Sequence, residues 1–199
     1  MPLSKIKTNS IATGNITSAL ITSVANTAIV GRIATAQQPI GAVLQANSAI
    51  KTDTFSFSVT ARTWTSVTGL SAAITPSSTS NKVLVTAVVS ISATNTYNAM
   101  GGRITRNGTA VAVGNTVGSS RQFAFFGSDD WLGAASANQG QIFISFLDSP
   151  STTSSVTYQL QLINDRDTET IYVNSGAVDP DSSQEFRNAS SITVMEIAG

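Results

Sequence analysis

The chain has 199 residues with no cysteine and no histidine, and its 11 basic residues balance 11 acidic ones. That excludes disulfide frameworks, Cys/His zinc sites and every histidine-based catalytic device, and zero net charge offers no basic stripe to nucleic acid or to an anionic membrane surface. Charged residues are 11% of the chain and apolar residues 41%, so the charge that makes up about a quarter of an ordinary globular sequence is replaced by small polar residues, here 28 Ser and 26 Thr.

Residues 1–39 form the first segment. Ile6, Ile11, Ile16 and Ile21 stand five apart, and Val24, Ile29 and Ile33 follow at looser intervals. Five is the period of neither a helix face nor a half-buried strand, so one chain cannot bury this set within either element. The turn formers between them, such as Thr8-Asn9-Ser10 and Thr13-Gly14-Asn15, have poor helix propensity. The expectation is an extended stem, wound with other copies or laid into a groove of a larger assembly. A disordered tail is the competing reading, which the regular isoleucine spacing and the lack of charge oppose. No apolar core of a signal peptide follows Lys5 and Lys7, and no run approaches the ~20 residues of a spanning helix.

Periodicity stops at Ala34-Thr35-Ala36-Gln37-Gln38-Pro39, which sets a boundary near residue 40. Residues 40–199 then carry short β-branched runs between turn residues at even spacing, the pattern of an all-β sandwich or barrel. The runs are Ile50 to Thr60, Thr63 to Thr68, Leu70 to Thr75, Lys82 to Ala93, Gly102 to Arg106, Thr109 to Val113, Arg121 to Phe126, Gln141 to Leu147, Val156 to Asn164, Thr170 to Val173 and Ser191 to Ile197. Some merge, leaving about nine strands. Phe55, Phe57 and Val59 share one face, as do Val156, Tyr158, Leu160 and Leu162, so these strands are half-wet. Val83 to Val85, Val88-Val89 and Ile192 to Ile197 are apolar on both faces, which places them between layers or at a subunit contact. Asn107-Gly108 predicts a type I′ hairpin, since both residues accept positive φ.

Three stretches, Val67 to Val85, Phe146-Leu147-Asp148-Ser149-Pro150 and Ser190 to Ile197, together resemble a family of bacteriophage virion fibre proteins, of the kind found in cyanophages and other aquatic phages. The opening Pro2-Leu3-Ser4-Lys5-Ile6 is similar to the repetitive stems that precede such domains. The resemblance implies a jelly-roll-like antiparallel β-sandwich head, a homotrimer, attachment to other virion proteins through the amino-terminal segment, and binding to a host surface. A trimer also suits the composition, because charge near a threefold axis faces two copies of itself, whereas Ser, Thr and Ala do not repel their copies.

Acidic residues gather at Asp129-Asp130, at Asp165, Asp167 and Glu169, and at Asp179 and Asp181. Paired carboxylates serve glycoside hydrolysis, but no aromatic platform accompanies them, and the spacing matches no EF-hand loop. Solvated turn carboxylates are the preferred reading; no enzyme, cofactor or metal is expected. Trp131 beside Asp129 and Asp130, with Phe126 at the end of its strand, has the makings of a sugar grip, and capping of the sandwich end accounts for Trp131 equally well. Tyr97 with Asn98 is a second loop of this kind. Arg103 and Arg106 share no face and show no aromatic partner pattern. The expectation is a virion appendage subunit for host attachment, its stem built on Ile6, Ile11, Ile16, Ile21, Ile29 and Ile33. A capsid or tail decoration protein is the alternative and a polysaccharide-hydrolysing fibre the third reading.

Overall fold

The computed structural model describes residues 38–94, 100–115, 118, 120–128, 139–164, 168–183 and 185–199. The stem isoleucines, Ile6 to Ile33, lie outside them. The described chain is all-β, with eleven strands: β1 (Val43–Lys51), β2 (Phe55–Val59), β3 (Thr65–Ile74), β4 (Lys82–Ala93), β5 (Met100–Arg106), β6 (Thr109–Val111), β7 (Phe126–Ser128), β8 (Gly140–Asp148), β9 (Val156–Asn164), β10 (Glu169–Val173) and β11 (Ser190–Ile197). They form two antiparallel sheets, one ordered β1-β11-β4-β10-β2 with β8 on the far edge of β4, the other β3-β9-β5-β6 with β7 also on β5. The chain crosses repeatedly between them, which makes a jelly-roll-like sandwich.

Alternation decides what the sandwich buries. Val83, Val85, Val89 and Ile91 of β4 face Tyr158, Leu160 and Leu162 of β9 in one core that also takes Ile104, Ile144, Ile171, Val173, Ile192 and Val194. Each fully buried side chain of this size contributes roughly 1.5–3 kcal/mol against exposure. Phe55, Phe57 and Val59 join the same core from β2. The Asn107-Gly108 hairpin forms as expected, with φ of 49° and 85° and Arg106 opposite Thr109.

Three strand assignments differ from the sequence reading. Residues 50–60 are two strands rather than one, and the first of them, β1, starts at Val43. The runs 63–68 and 70–75 merge into β3 through Gly69, whose φ of 86° accompanies a register shift between Ser66 and Ser71. Arg121 to Phe126 is not a strand; β7 is the short piece Phe126–Ser128, held against Met100 to Gly102.

β4 is longer than either neighbour on one of its edges. Residues 82–88 pair with β11 and residues 91–93 with β10, so the ladder changes partner at Val89-Ser90. A buried polar cluster closes that seam. Ser90 N–H donates to Ser190 Oγ at 3.0 Å, and Ser90 C=O accepts from Asn174 N–H at 3.0 Å. Asn174, in the left-handed region at φ 67°, donates its amide to the carbonyls of Lys51 and Asp53 and accepts from Ser190 Oγ at 2.6 Å. Backbone groups stranded by the change of partner are thereby satisfied, as buried polar groups require.

Candidate functional site

The three stretches that carry the fibre resemblance are side by side in space. Leu84 of β4 lies opposite Leu147 of β8 and Met195 of β11. Glu196, on the inward face of β11 and only 1% exposed, ties β11 to the turn before β4 and to β1. Its Oε1 accepts from Ser77 N–H and Ser77 Oγ, in the turn after β3, and from Asn81 Nδ2 at 2.6 Å; its Oε2 accepts from Gln45 Nε2 of β1 at 2.6 Å. Burial pushes this carboxyl up, and the hydrogen bonds from Asn81, Gln45 and Ser77 more than reverse that, so it ionises below the ordinary glutamate value. Glu196, Ser77, Asn81 and Gln45 thus hold the ends of β11, β3, β4 and β1 together.

Side chains also close the sandwich at both edges. Gln45 and Asn47 of β1 donate to the carbonyls of Thr75, just after β3, and Ala73, within it, at 2.7 and 2.9 Å. At the opposite edge Asp148, at the end of β8, accepts from Tyr158 Oη of β9 at 2.7 Å and from Arg106 Nη1 of β5 at 2.6 Å. Burial and the bond to Asp148 raise the Tyr158 phenol far above its usual value.

The outward faces of the two sheets differ in character. On β8-β4-β11-β1 the register stacks three cross-strand rows: Leu147, Leu84, Met195 and Ala46; Ser145, Thr86, Thr193 and Ser48; Phe143, Val88, Ser191 and Ile50. None of these twelve residues is charged. Ile50, Phe143 and Leu147 are 68%, 65% and 56% exposed, a concentration of large apolar groups on one side of the molecule. The other sheet is polar outside, with Ser66, Gln161 and Arg103 in one row and Ser71, Gln159 and the buried Thr105 in the next.

In the first of those polar rows Arg103 Nε donates to Gln161 Oε1 at 2.9 Å, and Gln161 Nε2 donates to Ser66 Oγ at 3.2 Å. The Arg103 guanidinium carbon lies 4.1 Å from the ring centroid of Trp64, just before β3. Arg103 thus has the aromatic partner that the sequence reading denied it. Arg106 is on the opposite face, as expected. The alternation of β9 already placed Gln161 on the wet face, but bringing Trp64 and Ser66 to it depends on the Gly69 shift, which no local pattern announces.

Of the sugar-grip residues, Asp129, Asp130 and Trp131, and Tyr97 with Asn98, lie outside the described residues. Phe126 packs against the core, with its ring over Gly102. Among the acidic clusters, Asp179 Oδ2 pairs with Arg187 Nη2 at 2.8 Å, and Asp165 and Asp167 lie outside the described residues. Among the described residues no group of three or more acidic side chains is placed to hold a metal ion, and no helix is long and apolar enough to cross a membrane.

No family model matches the chain, and no curated protein does. Among solved structures it is similar, at 12% identity, to the infectious bursal disease virus Gx strain structure, with a TM-score of 0.40 over 77% of this chain and 37% of that one. A second likeness, also at 12% identity, is to the infectious bursal disease virus VP2 subviral particle, with a TM-score of 0.37 over 78% of this chain and 38% of that one. The chain spans less than two fifths of the length of either. The β-sandwich stands on the chain's own sheet topology.

Proposed function

We propose that the chain is a structural subunit of a virion appendage, assembling as a homotrimer through the outer face of the β8-β4-β11-β1 sheet and presenting its polar sheet to a host surface. The observation that carries this reading is the uncharged grid of twelve outward residues with Ile50, Phe143 and Leu147 standing exposed on it. Such a face is costly in water and has no charge to repel a copy of itself. The resemblance of residues 67–85, 146–150 and 190–197 to phage fibre proteins supplies the virion context, and the isoleucine-bearing amino-terminal segment is the one that docks on other virion proteins or trimerises as a stem. Attachment then works through weak contacts multiplied by the copies in each fibre.

Light scattering on the purified chain tests the assembly. Three chains are expected for the wild type and one for Thr193→Lys, at the centre of the grid, with the circular dichroism of the two alike. At an effective dielectric near 20, two like charges ~8 Å apart cost about 2 kcal/mol, and a trimer has three such pairs. A wild-type chain that stays single at micromolar concentration overturns the trimer. Adsorption of the wild-type trimer to host cells marks attachment. A trimer that is present in particles and does not adsorb is a decoration protein instead, and rapid loss of polysaccharide viscosity would mark the hydrolase reading.

A further inference from the structure

We propose that Arg103, Trp64 and Gln161 form a subsite for the carboxylate-bearing sugar of an acidic polysaccharide on the outer face of the β3-β9-β5 sheet. The inference deepens the attachment reading and rests on it for its biological setting, though not for its chemistry.

The guanidinium is held on two sides. Trp64 lies against it at 4.1 Å and Gln161 takes Nε, while Ser66 fixes Gln161 in turn. Among the described residues no carboxylate pairs with Arg103 and no hydrogen bond engages its Nη1 or Nη2. A pre-oriented guanidinium with these donors uncommitted matches a carboxylate bidentately, and less ordering entropy is lost when it binds than for a flexible lysine. Arg103 is half-buried, and burial lowers its pKa with no acid offsetting the effect. An anion placed here would replace the water that this cation has lost.

The neighbours choose among anions. The adjoining row offers Ser71 and Gln159, hydroxyl and amide groups of the kind that recognise a polyhydroxy ring, with Ser66 and Gln161 continuing them beside Arg103. A phosphate site would gather further cations, and these two rows contain only Arg103. The site also lies on the sheet opposite the uncharged face, so assembly through that face leaves it open.

The chain has two tryptophans, so a Trp131→Phe background makes Trp64 the sole indole reporter. Oligogalacturonate should give a saturable change in its emission, weakened by salt and at least ten-fold weaker in Arg103→Gln, with Arg103→Lys between the two because it keeps the charge and loses the fork. Neutral malto-oligosaccharide should not saturate. The subsite is overturned if oligogalacturonate gives no saturable change, if acetate at equal carboxylate concentration reproduces it, or if Arg103→Gln and Arg103→Lys both bind as the parent does. Should Arg103→Gln fail to fold, Arg103→Lys and the acetate comparison still decide. Failure here leaves the trimer standing, because light scattering reads assembly independently of Arg103.

Discussion

Glu196 and Asn81, 115 residues apart in sequence, meet at 2.6 Å through Oε1 and Nδ2, and around that bond the end of β11, the turn before β4 and the start of β1 are joined. Among the described residues no cation pairs with this buried carboxylate, and its donors are neutral. It acts as a rivet for the sandwich, and its removal has consequences that can be measured.

Glu196→Gln replaces one acceptor oxygen by an NH₂ group. If the remaining oxygen serves Ser77 and Asn81, the new donor confronts Gln45 Nε2; the reverse orientation strands Ser77 and Asn81. A loss of about 1–3 kcal/mol is expected from urea unfolding at pH 7, the usual cost of an unsatisfied buried group. The same side chain makes stability acid-sensitive. Its folded pKa is lowered, so its contribution is fully present above the unfolded value of roughly 4.3 and disappears as pH falls through the folded value below it. Wild-type stability should therefore decline more steeply below pH ~4 than that of Glu196→Gln; parallel curves would remove Glu196 from the acid response.

The seam at Ser90 gives a second outcome. Ser190→Ala strands the Ser90 N–H and the Asn174 Oδ1 together, which should cost about 1–3 kcal/mol or more. Asn174→Gly removes the amide's bonds to Lys51, Asp53 and Ser190 while tolerating φ of 67°. Asn174→Ala removes them and adds the left-handed strain, roughly 1–2 kcal/mol beyond the glycine variant. Equal midpoints for the alanine and glycine variants in thermal unfolding would show that the backbone conformation contributes nothing.

A third expectation concerns a close approach in the second sheet. A Cβ on Gly102 would overlap the ring of Phe126 and press on Leu162 Cδ2 at 3.2 Å. Gly102→Ala should lose about 1–3 kcal/mol through overpacking. Phe126→Leu should relieve part of that loss, so the double variant should be more stable than the sum of the two single changes. Strict additivity in a denaturation cycle would mean that the ring moves aside freely.

How far the sequence leads depends on whether a feature is local. The faces of β2, β4, β9 and β11 were legible, because side chains i and i+2 share a face whatever the partner strand is, and the Asn107-Gly108 turn is encoded by two adjacent residues. β1 was missed over residues 43–49, where Val-Leu-Gln-Ala-Asn-Ser-Ala carries one β-branched residue and no sustained alternation; its pairing with β11 makes it a strand. β7 was misplaced for the same reason, since its short ladder is imposed by β5.

The sequence by itself determined that this is an all-β chain with few charges, a sandwich core and two strands apolar on both faces, because periodicity and composition are properties of neighbouring residues. Only the tertiary structure decided where those properties meet. The inward Glu196 is tolerable because Gln45, Ser77 and Asn81 arrive from elsewhere in the chain, and twelve outward residues of four strands become one uncharged grid only when register aligns them. Trp64 and Arg103 meet because Gly69 shifts the pairing of β3. Hydrogen-bond partners and cross-strand rows are fixed by which strands lie next to one another, and the sequence of any one strand does not contain that information.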